Sequence, residues 1–397
     1  MSDLTDTRYI KDCLQRLAIE IGPRPAGSSA SHQAAEFVAG ELQQAGYKVT
    51  WQKYPCPDWQ LQSGELIIAG EKVEITVNRF CPSCEVTAPL ALVSSLEELR
   101  DCELTNKIVI LNEALTQGGF FPKNFDFIRD ETQDEIIRIL EEERPSAIIA
   151  INQYSGPHPG VIEDSEFYIP SVTVSQPEGQ RILAYMGSGA SLKVISQTLE
   201  SSGANLVGLK SAAANKKILI CAHYDTYHGS PGALDNGAGI AAMLYLARLL
   251  KTVPLKLTVE MVAFGGEDSW YPGDASYMKG FKAEDIVAAI NIDGCGYPGS
   301  NTNLAFFNWP EEQEKQIFDR AGSGYVKEPF YESDHGFFWT LGIPTLAITT
   351  SDYMRNLLGT IVHTKDDTPA VVDTLLVEQV SKLVFDVILM LDELTVA

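Results

Sequence analysis

Basic residues are scarce in this chain of 397 residues: 30 Lys and Arg stand against 53 Asp and Glu, a formal charge of -23. A surface of that sign repels phosphate backbones and anionic headgroups, which excludes nucleic acid and a membrane surface as partners. Long hydrophobic runs are also missing. No stretch approaches roughly 18 uninterrupted apolar residues. The opening MSDLTDTRYIKDC has no basic n-region followed by an apolar h-region, so the chain reads as cytoplasmic. The seven cysteines are an odd number, which rules out a fully paired disulfide framework and leaves most of them as free thiols. Cys81 and Cys84 in CPSC lack the second matching pair that a structural zinc needs, and Cys56 and Cys102 are only loosely spaced candidates. Internal repeats, low-complexity stretches and flexible linkers are absent too.

What remains is an ordinary globular composition, 45% hydrophobic and 9% aromatic, in a chain long enough for two or three domains. The first segment reads as helix, loop, helix, strand. Leu14, Leu17 and Ile21 keep helical spacing before a Gly-Pro break, and Ala34, Phe37, Val38 and Leu42 repeat it before Gly46. Between residues 55 and 190 the texture changes to short apolar runs (ELIIAG, KVEITV, LALVSS, KIVILN, SAIIAI) separated by turn residues, with one helix at DETQDEIIRILEEE. This predicts a smaller, strand-rich inserted domain over 55–190, with 1–54 and 191–397 forming the main one. After residue 190, apolar strands (KKILICA, KLTVEMVAFG, EDIVAAINID, IPTLAITT) alternate with helices (GAGIAAMLYLARLL, SDHGFFWTLG and the closing TLLVEQVSKLVFDVILMLDEL). The expected class is α/β, a mostly parallel mixed sheet with helices on both faces.

Ligands of such sheets collect at the carboxyl ends of the strands. Those ends carry AHYDT, FGGED and NIDGCG, with GALDNGAG opening the intervening helix and IVHTKDDT following the last strand. Two divalent cations roughly 3.5 to 4 Å apart need one bridging carboxylate, plus a nitrogen and a carboxylate on each ion. His223, Asp235, Asp293, Asp268 and His363 meet that count, with Asp235 as the natural bridge. Glu267 beside Asp268 is then free to act as general base on a shared water, since side chains alternate in direction near a strand end. Asp225, two positions along the strand from His223, falls on the same side and can orient its imidazole.

These residues carry a resemblance. The chain resembles metallopeptidase family twenty-eight, the co-catalytic zinc aminopeptidases. Their HxD strand end, DNxxG helix start, Glu-Glu or Glu-Asp pair, NxD strand end and late HT..DT appear here in order as HYD, DNGAG, GED, NID and HTKDDT. The opening GPRPAGSSASHQAAEFVAGELQQAGYKV is also similar, so the likeness spans residues 8–54 and about 190–397. It implies that His223, Asp235 and Asp293 hold one metal, that Asp235, Asp268 and His363 hold the other, and that Glu267 is the base. It further implies two ions, most often zinc, with manganese or cobalt also compatible. The implied activity is exopeptidase action on peptides, most simply as an aminopeptidase. Carboxypeptidase or glutaminyl cyclase chemistry, or a non-catalytic binding role, are the alternatives. Val362 stands where many members have a tyrosine that helps stabilise the tetrahedral intermediate, which leaves Tyr353 and Arg355 as substitutes. Ser333, Asp334 and His335 match a recurring motif, with His335 either supporting the site or capping a helix. In the insert, RPSAIIAINQ and IPSVTVSQPEGQRIL are similar to a protease-associated domain.

Overall fold

The computed structural model describes residues 3–123, 130–153, 160–212, 216–270, 272–351 and 353–394. It divides into two compact units, Met1–Cys56 with Ser201–Ala397, and Pro57–Glu200. In the first unit, helix α1 (Asp3–Leu14) runs into a wider-pitched turn at Gln15–Ile21, which Gly22 ends at φ 77°. Helix α2 (Ser29–Gln44) starts where the Ser28 hydroxyl accepts the Ser31 amide. Its stripe of Ala34, Ala35, Val38, Ala39 and Leu42 is buried, and strand β1 (Lys48–Pro55) follows.

The second unit is one sheet of eight strands: β2 (Asp58–Ile68), β3 (Glu71–Val73), β4 (Thr76–Val77), β5 (Cys84–Val93), β6 (Ile108–Leu111), β7 (Ala147–Ile151), β8 (Ser171–Val174) and β9 (Gly189–Leu199). Helices α3 (Leu96–Asp101), α4 (Glu131–Glu143) and α5 (Gln176–Leu183) belong to it. Strands β5 to β8 pair in parallel, while β9 runs antiparallel between β2 and β5. Alternation along β6 and β7 sends Ile108, Ile110 and Ile149 into one core, and Val109, Leu111 and Ile148 into another. The expected boundary after residue 190 falls inside β9, whose partners are β2 and β5, so this unit keeps the chain until Glu200.

Back in the first unit come β10 (Ser202–Lys210), β11 (Lys217–His223), α6 (Ala238–Leu250), β12 (Thr258–Phe264), α7 (Pro272–Met278), β13 (Ile286–Ile292), β14 (Thr302–Phe307), α8 (Glu311–Ala321), β15 (Tyr325–Val326), α9 (Gly336–Trp339), β16 (Thr345–Thr350) and α10 (Thr374–Leu394). The strand order is β1-β10-β12-β11-β13-β16-β14-β15. Its centre, β12-β11-β13-β16, is wholly parallel, and β10 and β14 flank it antiparallel. Ile218, Ile220 and Ala222 of β11 face the core that holds α1, α2, α6 and α10, while Leu219 and Cys221 face Tyr277 and Phe338 on the other side. The α/β class with helices on both faces is therefore what the chain adopts. Helix α9 is shorter than SDHGFFWTLG suggested. Strands β10 and β14 and helix α8 carry weaker signals: β10 contains Gly203, Asn205 and Gly208, and only Ile317 of α8 is buried.

Helix α6 is buried nearly all round, as a helix between a sheet and a second helical layer must be. It meets β13 at Gly239, where an added Cβ would run into the Ile292 carbonyl and the Asn236 side chain. Gly239→Ala is expected to overpack this crossing and cost about 1–3 kcal/mol, read as a lower urea midpoint. An unchanged midpoint would mean that α6 can shift without loss.

All seven cysteines are free thiols. Burial pushes the Cys81 thiol up to about 12 and that of Cys84 in the same direction, which suits packing and not redox exchange. Among the described residues no helix is long and apolar enough to cross a membrane.

Candidate metal centre

The carboxyl ends of the four parallel strands converge. β11 ends on His223, β13 leads directly into Asp293, β12 is followed by Glu267 and Asp268, and the chain after β16 reaches His363. Asp235 comes from the tight turn Ala233–Gly237 that opens α6. His223 Nε2 lies 3.1 Å from Asp235 Oδ1 and 3.3 Å from Asp293 Oδ1. His363 Nε2 lies 3.1 Å from the other oxygen, Asp235 Oδ2, and 2.8 Å from Asp268 Oδ1. One carboxylate thus faces two imidazoles, one through each oxygen.

Three donor groups result, each with its atoms within 4.8 Å of one another: His223, Asp235 and Asp293; Asp235, Asp268 and His363; and His223, Glu267 and Asp268. Glu267 Oε2 stands back at 3.9 Å from His223 Nε2, with its side chain 12% exposed. Asp225 holds two of these groups at once. Its backbone oxygen and Oδ1 lie 3.3 and 3.6 Å from His223 Nδ1, and Oδ1 accepts the Glu267 amide at 3.1 Å.

So many buried carboxylates repel one another unless cations sit among them. The protonation pattern shows the demand for positive charge. Burial opposes a charge on His223, but Asp293, Glu267, Asp225 and Asp235 outweigh it and hold the imidazole well above its usual pKa. His363 is raised in the same way, against burial, by Asp268 and Asp235. Burial, then the Asp235 charge, push Asp268 up to about 6. Imidazole nitrogens and carboxylate oxygens in this number and closeness fit a pair of divalent ions, and such donors suit zinc.

The surrounding contacts explain how the loops are held. Arg24, fully buried, donates from Nε to Tyr224 O (2.6 Å), from Nη1 to Pro231 O (2.7 Å) and from Nη2 to Gly232 O (2.8 Å). Asp367 accepts the amides of Leu234 (2.6 Å) and Asp235 (3.1 Å), and Asn236 donates to Ile292 O at 2.8 Å. None of the three stood out in the sequence as a site residue, although GPRPAG, DNGAG and HTKDDT contain them.

Two expectations change. Glu267 and Asp268 do not sit on an extended strand end: β12 stops at Phe264, Gly265 and Gly266 intervene, and the pair lies in a short 3-10 turn, Glu267–Ser269. The turn, not strand alternation, separates their directions. His335 joins no donor group and makes no side-chain cap at the start of α9. Its ring lies between Phe330 and Phe307, Nε2 bonds Phe330 O at 2.8 Å, and burial holds its pKa down to about 4. Val362 is fully buried in the core. Tyr353 is 7% exposed beside Gly294, and Arg355 is exposed in the same turn.

Residues 205–388 match the model of Peptidase family M28. Aminopeptidase YwaD of Bacillus subtilis is 24% identical over 381 residues, covering 91% of this chain and 79% of that protein. Probable leucine aminopeptidase 2 of Aspergillus fumigatus is 24% identical over 355 residues, covering 85% and 66%. A solved zinc aminopeptidase from Bacillus subtilis superposes with a TM-score of 0.78 at 21% identity, covering 97% of this chain and 95% of that one. At that identity the last likeness speaks for the fold.

Proposed function

We propose that this chain, whose residues 205–388 match Peptidase family M28, is a metal-dependent aminopeptidase that would hold two ions, most simply zinc, with Asp235 common to both ligand sets. His223 and Asp293 complete one set of ligands, Asp268 and His363 the other. The observation that carries this reading is the position of Asp235, one oxygen toward each imidazole. Bound there, the ions would act as Lewis acids on a water and on the scissile carbonyl.

The chain's own residues supply the rest. Glu267, set back from the ligands, takes the water's proton at its carboxylate and delivers it to the departing amine. Asp225 fixes the tautomer and plane of His223 and, through the Glu267 amide, the start of the turn that carries the base. All residues of the three donor groups belong to the first unit. The inserted unit is read as a protease-associated-like domain without chemistry of its own.

The test is a peptide assay with termini blocked one at a time. A free N-terminus with an amidated C-terminus should be cleaved, and its N-acetylated counterpart should not. 1,10-Phenanthroline should abolish turnover and added zinc restore it. Release of residues from the C-terminus would favour a carboxypeptidase instead, and one metal per chain would favour the cyclase alternative.

A further inference from the structure

The two imidazoles are not held alike. His223 is wholly buried, with Asp225 at its Nδ1. His363 has 21% of its side chain exposed and a left-handed backbone at φ 63°, and no hydrogen bond to its Nδ1 is found among the described residues. That conformation is unfavourable for a residue with a Cβ, and strain of this kind persists only where the surroundings enforce it. Turn bonds from Val362 N to Leu357 O (3.0 Å) and from Thr364 N to Ile361 O (3.2 Å) fix the backbone on either side. They leave the ring free to turn about its own bonds.

A contact on the imidazole face restrains it. Tyr227, half-buried in the segment just after β11, stacks on His363 with ring centroids 4.7 Å apart and planes 13° apart. A parallel face at that distance permits only one plane for the imidazole. That plane is the one in which Nε2 meets both Asp235 Oδ2 and Asp268 Oδ1.

We propose that Tyr227 is the positioning residue of the His363 half of the centre, doing for that imidazole by its ring face what Asp225 does for His223 by hydrogen bonding. It also joins the segment after β11 to the loop carrying His363, so the two halves of the centre are braced against each other. The inference rests on the two-ion reading above. It predicts an asymmetric consequence that a general packing role does not: loss of the ring weakens one of two metal-binding steps.

The experiment is a titration of metal-stripped protein with Zn²⁺ and, separately, with Co²⁺ followed by its visible absorption, on wild type, Tyr227→Ala and Tyr227→Phe. Thermal unfolding of each stripped protein reports whether it is folded. Wild type should take two equivalents. Tyr227→Ala should keep one step within about twofold and weaken the other about 10–100-fold, the usual effect of removing a ligand's outer support. Tyr227→Phe, which keeps the face and loses the hydroxyl, should match wild type. Two unchanged steps in Tyr227→Ala, equal weakening of both, or a Tyr227→Phe protein that behaves like the alanine variant would each overturn the assignment. A wild type that takes fewer than two equivalents would overturn the two-ion reading itself, and this inference with it.

Discussion

Glu267→Gln should lower kcat by about 10²–10⁴-fold, the range typical of a lost general base, while KM and metal content stay near wild type. Glutamine keeps the size of the side chain, and the bond from the residue 267 amide to Asp225 Oδ1 does not depend on which side chain is present. What disappears is the carboxylate proposed to hold a proton between attack and departure. The 3.9 Å between Glu267 Oε2 and His223 Nε2, longer than the 2.8 to 3.3 Å separations within the proposed ligand sets, supports the proposed division of labour between base and ligand. Steady-state kinetics with metal analysis on the same sample separate the possibilities. A variant that loses metal along with activity would make Glu267 a ligand, in line with its place in the third donor group. A variant within tenfold of wild-type kcat would remove it from proton transfer altogether.

Arg24→Met is expected to cost about 3–5 kcal/mol of stability, the range seen when one side of a buried charged interaction is deleted. The guanidinium satisfies carbonyls of Tyr224, Pro231 and Gly232, with longer bonds to Leu17 (3.3 Å) and Gly22 (3.4 Å). Each buried carbonyl left without a donor costs about 1–3 kcal/mol. Burial lowers the pKa of Arg24, to about 10, and nearby carboxylates led by Asp367 oppose the shift, so the group stays charged at neutral pH. Arg24→Lys should recover little, because one ammonium cannot reproduce a planar fork with several fixed donors. Urea unfolding gives the number, and a loss under about 1 kcal/mol for Arg24→Met would show that water can replace the guanidinium. Tyr224 adjoins His223, and Gly232 begins the turn that presents Asp235, so metal affinity should fall as well.

How far the sequence could be read depends on which physical constraint is local. Strands β11, β12, β13 and β16 are buried on both faces and therefore spell continuous apolar runs, and their ends point to His223, Asp268 and Asp293. Asp235 and His363 are legible from the polar motifs around them. The turn at Glu267–Ser269 is not, because two glycines erase the side-chain pattern that would mark the end of β12. Strand β9 escaped because Ser191, Lys193 and Gln197 interrupt its apolar positions, and with it went the end of the second unit at Glu200. Arg24, Asp367 and Tyr227 act through partners remote in sequence, and residue type alone does not name a partner.

The bonds that Arg24 makes to Tyr224, Pro231 and Gly232 span 200 to 208 positions, and β1 has a single strand partner, β10. During synthesis, then, β1 has no strand to pair with among the described residues until the chain beyond Ser201 emerges. The sheet of the inserted unit draws all its strands from residues 57–200 and can close earlier. Ring closures of that length are slow. On that order, the Arg24 contacts that hold the loops around Asp235 are expected to be late to form.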